Sequence, residues 1–535
     1  MSQLRVIRQD DFTGGLNLRA DQFQLAPNES PKMLNVEIDP RGGVFSRGAM
    51  RRINTSPVTP NWTPEILFQF SGTSTNYIMC GTGRNGAIPG GVYYSTGSNF
   101  SDLSVPVDAE HGPSFAPWGG TLYISTGYPA SYKWDGTTKT ALTASGSTGG
   151  AAWQNSYQSP TGGYFPSAKL SVTHAGKIFV ANTKEDGVEH PNRIRWSHPN
   201  SPENWAEQDR IDINDGGSEI RAIVVYGGHL VVFKSEGVFA VFGYDSDTFQ
   251  VVEISRTVGI PTPHAVVSTE RGVYFFSYPG GLMLYNGERV IDLFEPIRPA
   301  ITNNDINPSA IDEIYVNYIN RRVWVSVPYS ETENPTTPTA VFVYDPSVSE
   351  RGAWLMFATG DGCGVAGGCT FIQKDGTTKH IAAHPTYPSV LEVDVYSNSF
   401  DNRDGTDVYF PNTYRTRWLD AGSYSQKKMF RRPDVVVKQA DTASNLTLDI
   451  YTDYEESVKT KSYSVPIPVV SSGMLWGVSY WGVAKWGGAN LGSQIVNGRS
   501  IGLAKSIQVE FSGTAGVKWG INSFTLKYNP RKVTK

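Results

Sequence analysis

Residues 498–502, Gly-Arg-Ser-Ile-Gly, match the G-x-S-x-G pattern that positions a nucleophilic serine in many hydrolases. That chemistry needs a strand before the serine, a helix after it and, in the usual chain order, a later histidine. Residues 506–513 instead alternate like a strand, and the last histidine of the chain is His384. The pattern therefore does not predict a serine hydrolase.

Two cysteines and two histidines, Cys363, Cys369, His380 and His384, are of the types that bind zinc. The cysteine spacing is too wide for the usual zinc knuckle. The segment from His380 to His384 predicts a strand, in which positions four apart lie about 13 Å from each other and cannot share one tetrahedral ion. We therefore expect no metal here, and instead expect two small core thiols and two imidazoles that lie at the surface or serve packing.

Cofactor motifs are missing from the sequence. The stretch Asp-Ile-Asn-Asp-Gly-Gly-Ser-Glu at 212–219 lacks the ligand spacing of a calcium loop, and the sequence has neither a phosphate-binding loop nor a dinucleotide fingerprint. We expect no cofactor and a protein that is not an enzyme. A catalytic site assembled from several repeats stays open as an alternative, because it would leave no linear motif.

A basic run at 427–432 places Lys427, Lys428, Arg431 and Arg432 around two apolar residues. Residues 409–535 carry a net charge of +9, so the preceding 408 residues carry −13 of the total of −4. The run could contact phosphates. We favour a contact with an acidic protein surface, because the rest of the chain offers one.

Composition indicates the elements that must position these residues. The 535 residues include 55 Gly and 33 Pro, with only 18% charged residues, which favours short strands joined by turns over helical bundles. Three cysteines suit a reducing cytoplasm. The opening segment has no secretory pattern, and no apolar run reaches the roughly 18 residues of a membrane span. We expect a soluble protein made in the cytoplasm.

A hairpin pattern recurs along the chain, with a short apolar run after a Gly or Arg turn and a second run that ends in an aromatic residue. The aromatic markers are spaced by 40 to 62 residues: Tyr94, Trp134, Trp196, Phe242, Tyr285, Tyr344 and Tyr396. Such units are typical of β-propeller blades. We predict an all-β protein with a propeller of six to eight four-stranded blades, about seven, over residues 53–408. A β-sandwich with irregular hairpins is the alternative.

Two flanking regions differ from the repeats. Residues 1–52 predict an N-terminal arm with a short helical stretch after Ser30, and its Gly-rich segment Phe12, Gly14, Gly15, Leu16 and Asn17 is too short to form its own core. We expect that segment to contact another subunit or protein. Residues 409–535 predict a C-terminal β-sandwich or jelly roll. A loop with Trp476, Trp481 and Trp486 predicts either packing or a ligand platform.

The opening segment, 11–53, resembles the N-terminal signature of bacteriophage β-propeller tail proteins, the nozzle (tail tubular) and hub components of short-tailed virions. The resemblance rests on a G-G-L-N turn, Pro-Asn-Glu-Ser, Leu-Asn-Val and an Asp-Pro-Arg-Gly turn followed by basic residues. The blade sequences at 193–205, 220–243 and 254–301, the segment from Thr416 to Lys438 and the Trp-Gly loop are also similar to such proteins.

The resemblance implies a structural virion protein in a ring, usually of six copies, below the portal and its adaptor, with genomic DNA passing through the lumen without sequence-specific binding. It implies a phage-tail location after assembly in the host cytoplasm and contacts with the adaptor, with tail fibres or a needle as further candidate partners. The segment from Phe12 to Asn17 and the basic run are our candidate interface residues. A carbohydrate-binding or carbohydrate-degrading tail propeller, similar to a depolymerase, is the alternative function.

Overall fold

The computed structural model describes residues 4–21, 24–59, 63–83, 90–108, 112–127, 130–145, 153, 164–214, 217–244, 247–438, 444–468, 491–495, 499–513, 516 and 518–531. Within them the chain is all-β, as predicted. The helical segments described are two 3₁₀ turns, Glu295–Ile297 and Pro308–Glu313, and one turn of α-helix, α1 (Pro299–Thr302). None of the described helices is long and apolar enough to cross a membrane.

Seven short strands precede the repeats. They are β1 (Arg5–Gln9), β2 (Gly15–Leu16), β3 (Glu29–Ser30), β4 (Lys32–Leu34), β5 (Val36–Ile38), β6 (Val44–Ser46) and β7 (Ala49–Arg52). The helical stretch expected after Ser30 is wrong, because residues 29–34 form β3 and β4.

Seven small sheets, blades 1 to 7, follow along the described chain. Blade 1 has β8 (Ile66–Ser71), β9 (Asn76–Thr82), β10 (Gly90–Ser95) and β11 (Ser101–Val107), and blade 2 has β12 (Ser114–Trp118), β13 (Thr121–Ser125), β14 (Tyr132–Trp134) and β15 (Lys139–Ala141). Blade 3 has β16 (Thr143–Ser145), β17 (Tyr164–His174), β18 (Lys177–Glu185), β19 (Val188–Trp196) and β20 (Arg210–Asp212). Blade 4 has β21 (Ala222–Tyr226), β22 (His229–Phe233), β23 (Val238–Phe242) and β24 (Gln250–Ser255).

The remaining blades repeat the same antiparallel order. Blade 5 has β25 (Val266–Thr269), β26 (Gly272–Ser277), β27 (Gly281–Tyr285) and β28 (Val290–Asp292), and blade 6 has β29 (Tyr315–Ile319), β30 (Arg322–Val327), β31 (Ala340–Asp345) and β32 (Ala353–Phe357). Blade 7 has β33 (Gly368–Ile372), β34 (Thr378–Ala383) and β35 (Val390–Val395), extended by β7, β36 (Asp401–Asn402) and β37 (Asp407–Val408).

The blades form because both faces of their middle strands are covered by neighbouring blades. In β22 all five residues, from His229 to Phe233, are buried. The turn before it, Gly227-Gly228, has positive φ at both positions (57° and 82°), which suits the twist of a tight hairpin. Five of the seven aromatic markers lie on the third strand of their blade. Trp196 lies on β19, which is the third strand of blade 3 when counted from β17, and Tyr396 directly follows β35. The sequence repeat therefore marks the same place in every blade.

The ring closes between blade 7 and blade 1. The first strand of each blade, with β17 in this place in blade 3, contacts that of the next from blade 2 to blade 7, and β33 contacts β8. Blades 1 and 2 meet through the stacked rings of Phe68 and Phe115, with centroids 5.5 Å apart. The fourth strand of blade 7 is β7, which pairs with β35. The predicted propeller is confirmed with seven blades, but the boundary predicted at residue 53 cuts off this closing strand.

A β-sandwich follows the propeller. Its strands are β38 (Thr413–Arg415), β39 (Lys428–Lys438), β40 (Ser444–Thr452), β41 (Lys461–Ile467), β42 (Leu491–Ile495), β43 (Gly502–Ala504), β44 (Ile507–Gly513) and β45 (Gly520–Pro530). One sheet has the order β42-β39-β45-β6-β5, with β1 also on β45, and the other has the order β4-β38-β44-β40-β41. The rings of Phe511 and Phe524, one from each sheet, pack with centroids 5.6 Å apart.

The predicted N-terminal arm does not stand apart from the two other regions. Its strands β1, β4, β5 and β6 belong to the sandwich, and β2 and β4 contact β32 of blade 6. One continuous apolar core extends from blades 4–7 through this segment into the sandwich. The division into three separate regions is therefore corrected, since residues 4–52 supply strands to both the sandwich and the ring.

Candidate functional site

Phe12 and Leu16, expected to contact another chain, are buried inside this one. The exposed fraction of Phe12 is 0% and that of Leu16 is 2%. The ring of Phe12 packs edge-on against Tyr414 of the sandwich, with centroids 5.2 Å apart. These two side chains join the chain's own parts, which corrects the expectation that they face a partner.

The glycines and the asparagine of this segment shape its turn. Gly15 has φ of 71°, and a Cβ there would lie 2.7 Å from the backbone oxygen of Trp354. Only glycine allows so close an approach of β2 to blade 6. Gly14 donates its N–H to Asn28, and Asn17 donates its side-chain amide to Glu29 at 3.0 Å. Gly14 and Asn17 are half-buried, so this part of the prediction is also corrected to a contact within the chain.

The basic run divides into one buried and three exposed residues. Lys428 is 1% exposed, and its Nζ donates to the backbone oxygens of Ser423, Gln426 (3.0 Å) and Lys505 (2.8 Å). Burial lowers the pKa of Lys428. Its role is internal, which corrects its assignment to an interface.

Lys427, Arg431 and Arg432 are exposed at the surface of the sandwich. The pairing of β39 with β45 shifts register between Phe430 and Pro433, so the chain bulges at the two arginines. A bulge breaks the alternation of a strand, which explains why both successive side chains are exposed. Arg431 and Arg432 therefore remain a candidate contact surface.

The four residues of the suspected zinc set do not come together. His380 lies in β34 and its Nδ1 contacts the hydroxyl of Thr370 at 3.1 Å, while Cys369 pairs with Ile381. Cys363 and His384 do meet, but with Asp361, and the possible ligand atoms of these three lie within 4.8 Å of one another. The sequence reasoning missed Asp361.

The proton on His384 decides what this cluster can do. The backbone N–H groups of Thr386 and Tyr387 both donate to Nδ1 of His384 at 3.2 Å. The neutral ring therefore carries its hydrogen on Nε2, which lies 3.2 Å from a carboxylate oxygen of Asp361. Because Nε2 carries the hydrogen, the nitrogen that faces Asp361 has no free lone pair with which to bind a metal ion.

The same geometry disfavours nucleophilic catalysis by Cys363. A base must offer a free lone pair to the thiol, and the facing nitrogen of His384 does not. Burial and the nearby Asp361 raise the pKa of Cys363. Burial alone would raise the pKa of Asp361 as well, but contacts from His384, Thr359 and Arg403 lower it. The cluster is an internal polar network that ties the loop before blade 7 to Arg403.

A second polar cluster, which sequence reasoning did not identify, joins the sandwich to the propeller. Arg47 is 1% exposed and donates to both carboxylate oxygens of Asp401, at 3.0 and 2.6 Å. It also donates to Asn35, Gly48 and Ala358, at 2.7–2.8 Å. Since all its N–H directions are used, Arg47 locks β6, the end of blade 6 and the segment after blade 7 together.

A neighbouring buried network reinforces this joint. Arg322 of β30 lies 3.3 Å from Glu37 of β5 and 2.5 Å from Asp394 of β35. The hydroxyl of Tyr396 donates to Glu37 at 2.7 Å. Blade 6, blade 7 and the sandwich therefore meet at one set of paired charges.

A cavity of about 230 Å³ lies among the first strands of blades 1–5, lined mainly by apolar side chains such as Phe68, Phe115 and Val224.

Some sequence motifs are only partly described. The Trp loop with Trp476, Trp481 and Trp486 lies outside the described residues, as do 215–216 of the acidic stretch and 496–498 beside the G-x-S-x-G pattern. Ser500 of that pattern is exposed and followed by β43 instead of a helix.

Comparisons with known proteins return little beyond the fold. No family model matches the chain, and no curated protein matches it. A solved structure described as "YCF48 bound to D1 peptide" is similar over 68% of this chain and 97% of that chain, with 10% identity and a TM-score of 0.37. The seven blades seen in this chain itself establish a β-propeller with an attached β-sandwich.

Proposed function

We propose that this chain is a structural protein of a bacteriophage tail, a nozzle or hub that forms a ring around the DNA exit channel below the portal and its adaptor. The observation that carries the proposal is the joint around Arg47. The segment that resembles the phage signature contains Asn35 and Arg47, and these residues lock the propeller to the sandwich. In a protein of this kind, the signature residues would hold the propeller rigidly to the sandwich.

Rigidity suits a ring that holds a genome under load. Buried ion pairs with few alternative geometries oppose a hinge between the propeller and the sandwich. The polar clusters described around Asp361 and Arg47 are internally paired, which supports a scaffold and a non-enzymatic role.

The DNA path in this proposal is the lumen that the copies of the ring enclose together. A net charge of −13 on the first 408 residues would keep phosphates from binding tightly to a lumen wall formed by the propeller. The positively charged sandwich, where Arg431 and Arg432 are exposed, would then make the contacts with the adaptor and with neighbouring copies.

The proposal is tested by adding purified protein to particles produced without this chain. We expect such particles to lack a complete tail and to become infectious after addition. Arg431→Glu/Arg432→Glu protein should stay folded by circular dichroism but fail to enter particles. A matched control reverses two exposed arginines on turns of the propeller, Arg289→Glu/Arg351→Glu.

Two results would contradict it. Particles that are complete and infectious without the chain would reject the tail function. Reversed protein that assembles normally, in particles that then eject DNA abnormally, would place the basic run at the channel instead of at a protein contact.

A further inference from the structure

The outer strands of the blades differ in how they are protected. An unpaired outer strand exposes backbone N–H and C=O groups, and proteins usually protect such edges with short strands, charges, proline or a covering segment. Three outer strands described here, β15, β20 and β28, have only three residues each. The outer strand β11 carries Pro106 and Asp102.

The outer strands of blades 6 and 7 are covered by the chain itself. The N-terminal strands β2 and β4 contact β32, and β36 pairs with β7. Among the blades described, this leaves blade 4 with a long outer strand that has no proline and no covering segment, and a single charge, Glu253.

Blade 4 ends in β24, six residues long, which pairs with β23 alone within the described residues. Its first four residues are exposed, including Val251 (38%) and Val252 (45%), whose side chains lie on opposite faces of the strand. Phe242 (39%) and Tyr244 (70%) extend the apolar surface beside it. An exposed edge with this composition is typical of a docking strand.

The sandwich has a second edge of the same kind. Strand β1 pairs only with β45 among the described strands, and the side chains of Leu4 and Val6 are 50% and 55% exposed. Arg5 and Arg8 of this strand are exposed as well. The strand is therefore apolar and basic, on a region whose net charge is positive.

Charge complements these two edges. The turn before β24 carries the exposed Asp247, on a propeller whose region is net negative. Glu253 of β24 lies 2.6 Å from Arg256, and Arg8 of β1 lies 3.0 Å from Asp10, so the contact between the two edges relies on Asp247 and Arg5. Opposite charges on two edges that each lack a strand favour their pairing over self-pairing of either edge.

We propose that β1 of one copy of this chain adds to β24 of a neighbouring copy, which makes a sheet that is continuous across the contact. This inference rests on the ring in the proposed function, and it identifies the surfaces that join its subunits. The contact is heterologous, because two different edges meet, so each copy can bind one neighbour on each side. Backbone pairing supplies affinity, and the valines and charges set the partner.

The test is cross-linking of mixed variants. Val6→Cys protein and Val252→Cys protein are purified separately, mixed and treated with a short bismaleimide. We expect a covalent dimer in the mixture and none in either variant alone. Val188→Cys replaces another exposed valine (57%), the first residue of β19 in blade 3, so its mixture with Val6→Cys is the control.

A second measurement uses sedimentation velocity. Val6→Lys/Val252→Lys places lysine on both edges, and we expect its association to weaken by at least about tenfold, with an unchanged circular dichroism spectrum. Two results would overturn the inference. One is a cross-link between two copies of the same variant. The other is the absence of a mixed cross-link together with wild-type protein that stays monomeric at its highest soluble concentration.

The two proposals can fail separately. If the mixed cross-link forms but particles produced without the chain are infectious, the docking holds and the tail function is rejected. If the lysine variant enters particles as well as wild type and no mixed cross-link forms, the tail function holds and this docking is rejected.

Discussion

Arg47 and Asp401 lie 354 positions apart in the chain, and their side chains form a two-point ion pair with 1% and 7% exposure. The guanidinium also lies 3.9 Å from the centre of the Phe410 ring. Because Asp401 additionally accepts the backbone N–H of Met50, the pair fixes the closing strand of the ring as well as the sandwich.

Replacing Arg47 should strongly destabilise the protein. Arg47→Ala leaves Asp401 charged and buried without its partner, at an expected cost of about 3–5 kcal/mol in the free energy of unfolding. Urea denaturation measures the loss. Arg51→Ala removes a more exposed pair with Asp407 and should cost at most about 1 kcal/mol. Equal losses in the two variants would contradict the assigned role of Arg47.

The internal role of Lys428 predicts a contrast with its neighbour. Lys428→Met removes the donor from three backbone oxygens in part-buried contacts and should cost about 1–3 kcal/mol for each oxygen that stays unpaired away from water. Lys427→Met, at an exposed position, should change the stability by less than about 0.5 kcal/mol. Thermal melting of the two variants checks this. Similar melting temperatures of the two variants would mean that Lys428, like Lys427, is a surface residue and has no internal role.

The packing of Phe12 predicts an effect on the isolated subunit. Phe12→Ala should lower the free energy of unfolding by about 3–5 kcal/mol, because it leaves a cavity against Tyr414. Val6→Ala removes an exposed side chain from the same segment and is the control. If Phe12→Ala melts like wild type at a concentration where the protein is monomeric, Phe12 belongs to a subunit contact after all.

The acid stability of blade 3 should depend on Glu185. Burial alone would raise the pKa of Glu185, but hydrogen bonds and charges from Arg195, Thr183 and Arg193 lower it to about 2. An unfolded glutamate has a pKa near 4.3. These interactions of Glu185 therefore add about 3 kcal/mol to the free energy of unfolding above that pH. The contribution is lost as the pH falls towards about 2.

Glu185→Gln should accordingly be less stable than wild type at pH 7, with a difference that shrinks below about pH 4. Melting temperatures recorded between neutral and acid pH measure this difference. Glu189→Gln, at a side chain with 57% exposure, should show no such trend. If the difference in melting temperature between Glu185→Gln and wild type stays constant with pH, the pKa of Glu185 is not lowered by folding.

The tautomer of His384 predicts that the purified protein holds no stoichiometric zinc. Elemental analysis tests this directly. One zinc ion per chain that is lost in Cys363→Ser would contradict this prediction. It would mean that the hydrogen bonds from Thr386 and Tyr387 to Nδ1 break, so that the hydrogen can move from Nε2 to Nδ1.

The seven-bladed ring was predictable because an aromatic residue recurs at or just after the third strand of the blades, at intervals of 40 to 62 residues from Tyr94 to Tyr396. The closing strand β7 was not, since Ala-Met-Arg-Arg has no strand pattern and acquires its partner β35 about 340 residues later. The basic run shows the same limit. Composition does not distinguish Lys428 from Lys427, because the oxygens that hold Lys428 come together only when Ser423 and Lys505 are folded beside it.

The shared sandwich also sets the order of events during synthesis. Strands β1 and β6 pair with β45, which the ribosome makes about 500 residues after β1. At roughly 5–20 residues per second, β1 waits about half a minute to a minute and a half for its partner strand. The blades can form one after another during that time, but the sandwich sheet that contains β1 and β6 cannot be completed before β45 is made. A nascent chain is thereby kept from acting as a finished subunit until nearly all of it has left the ribosome.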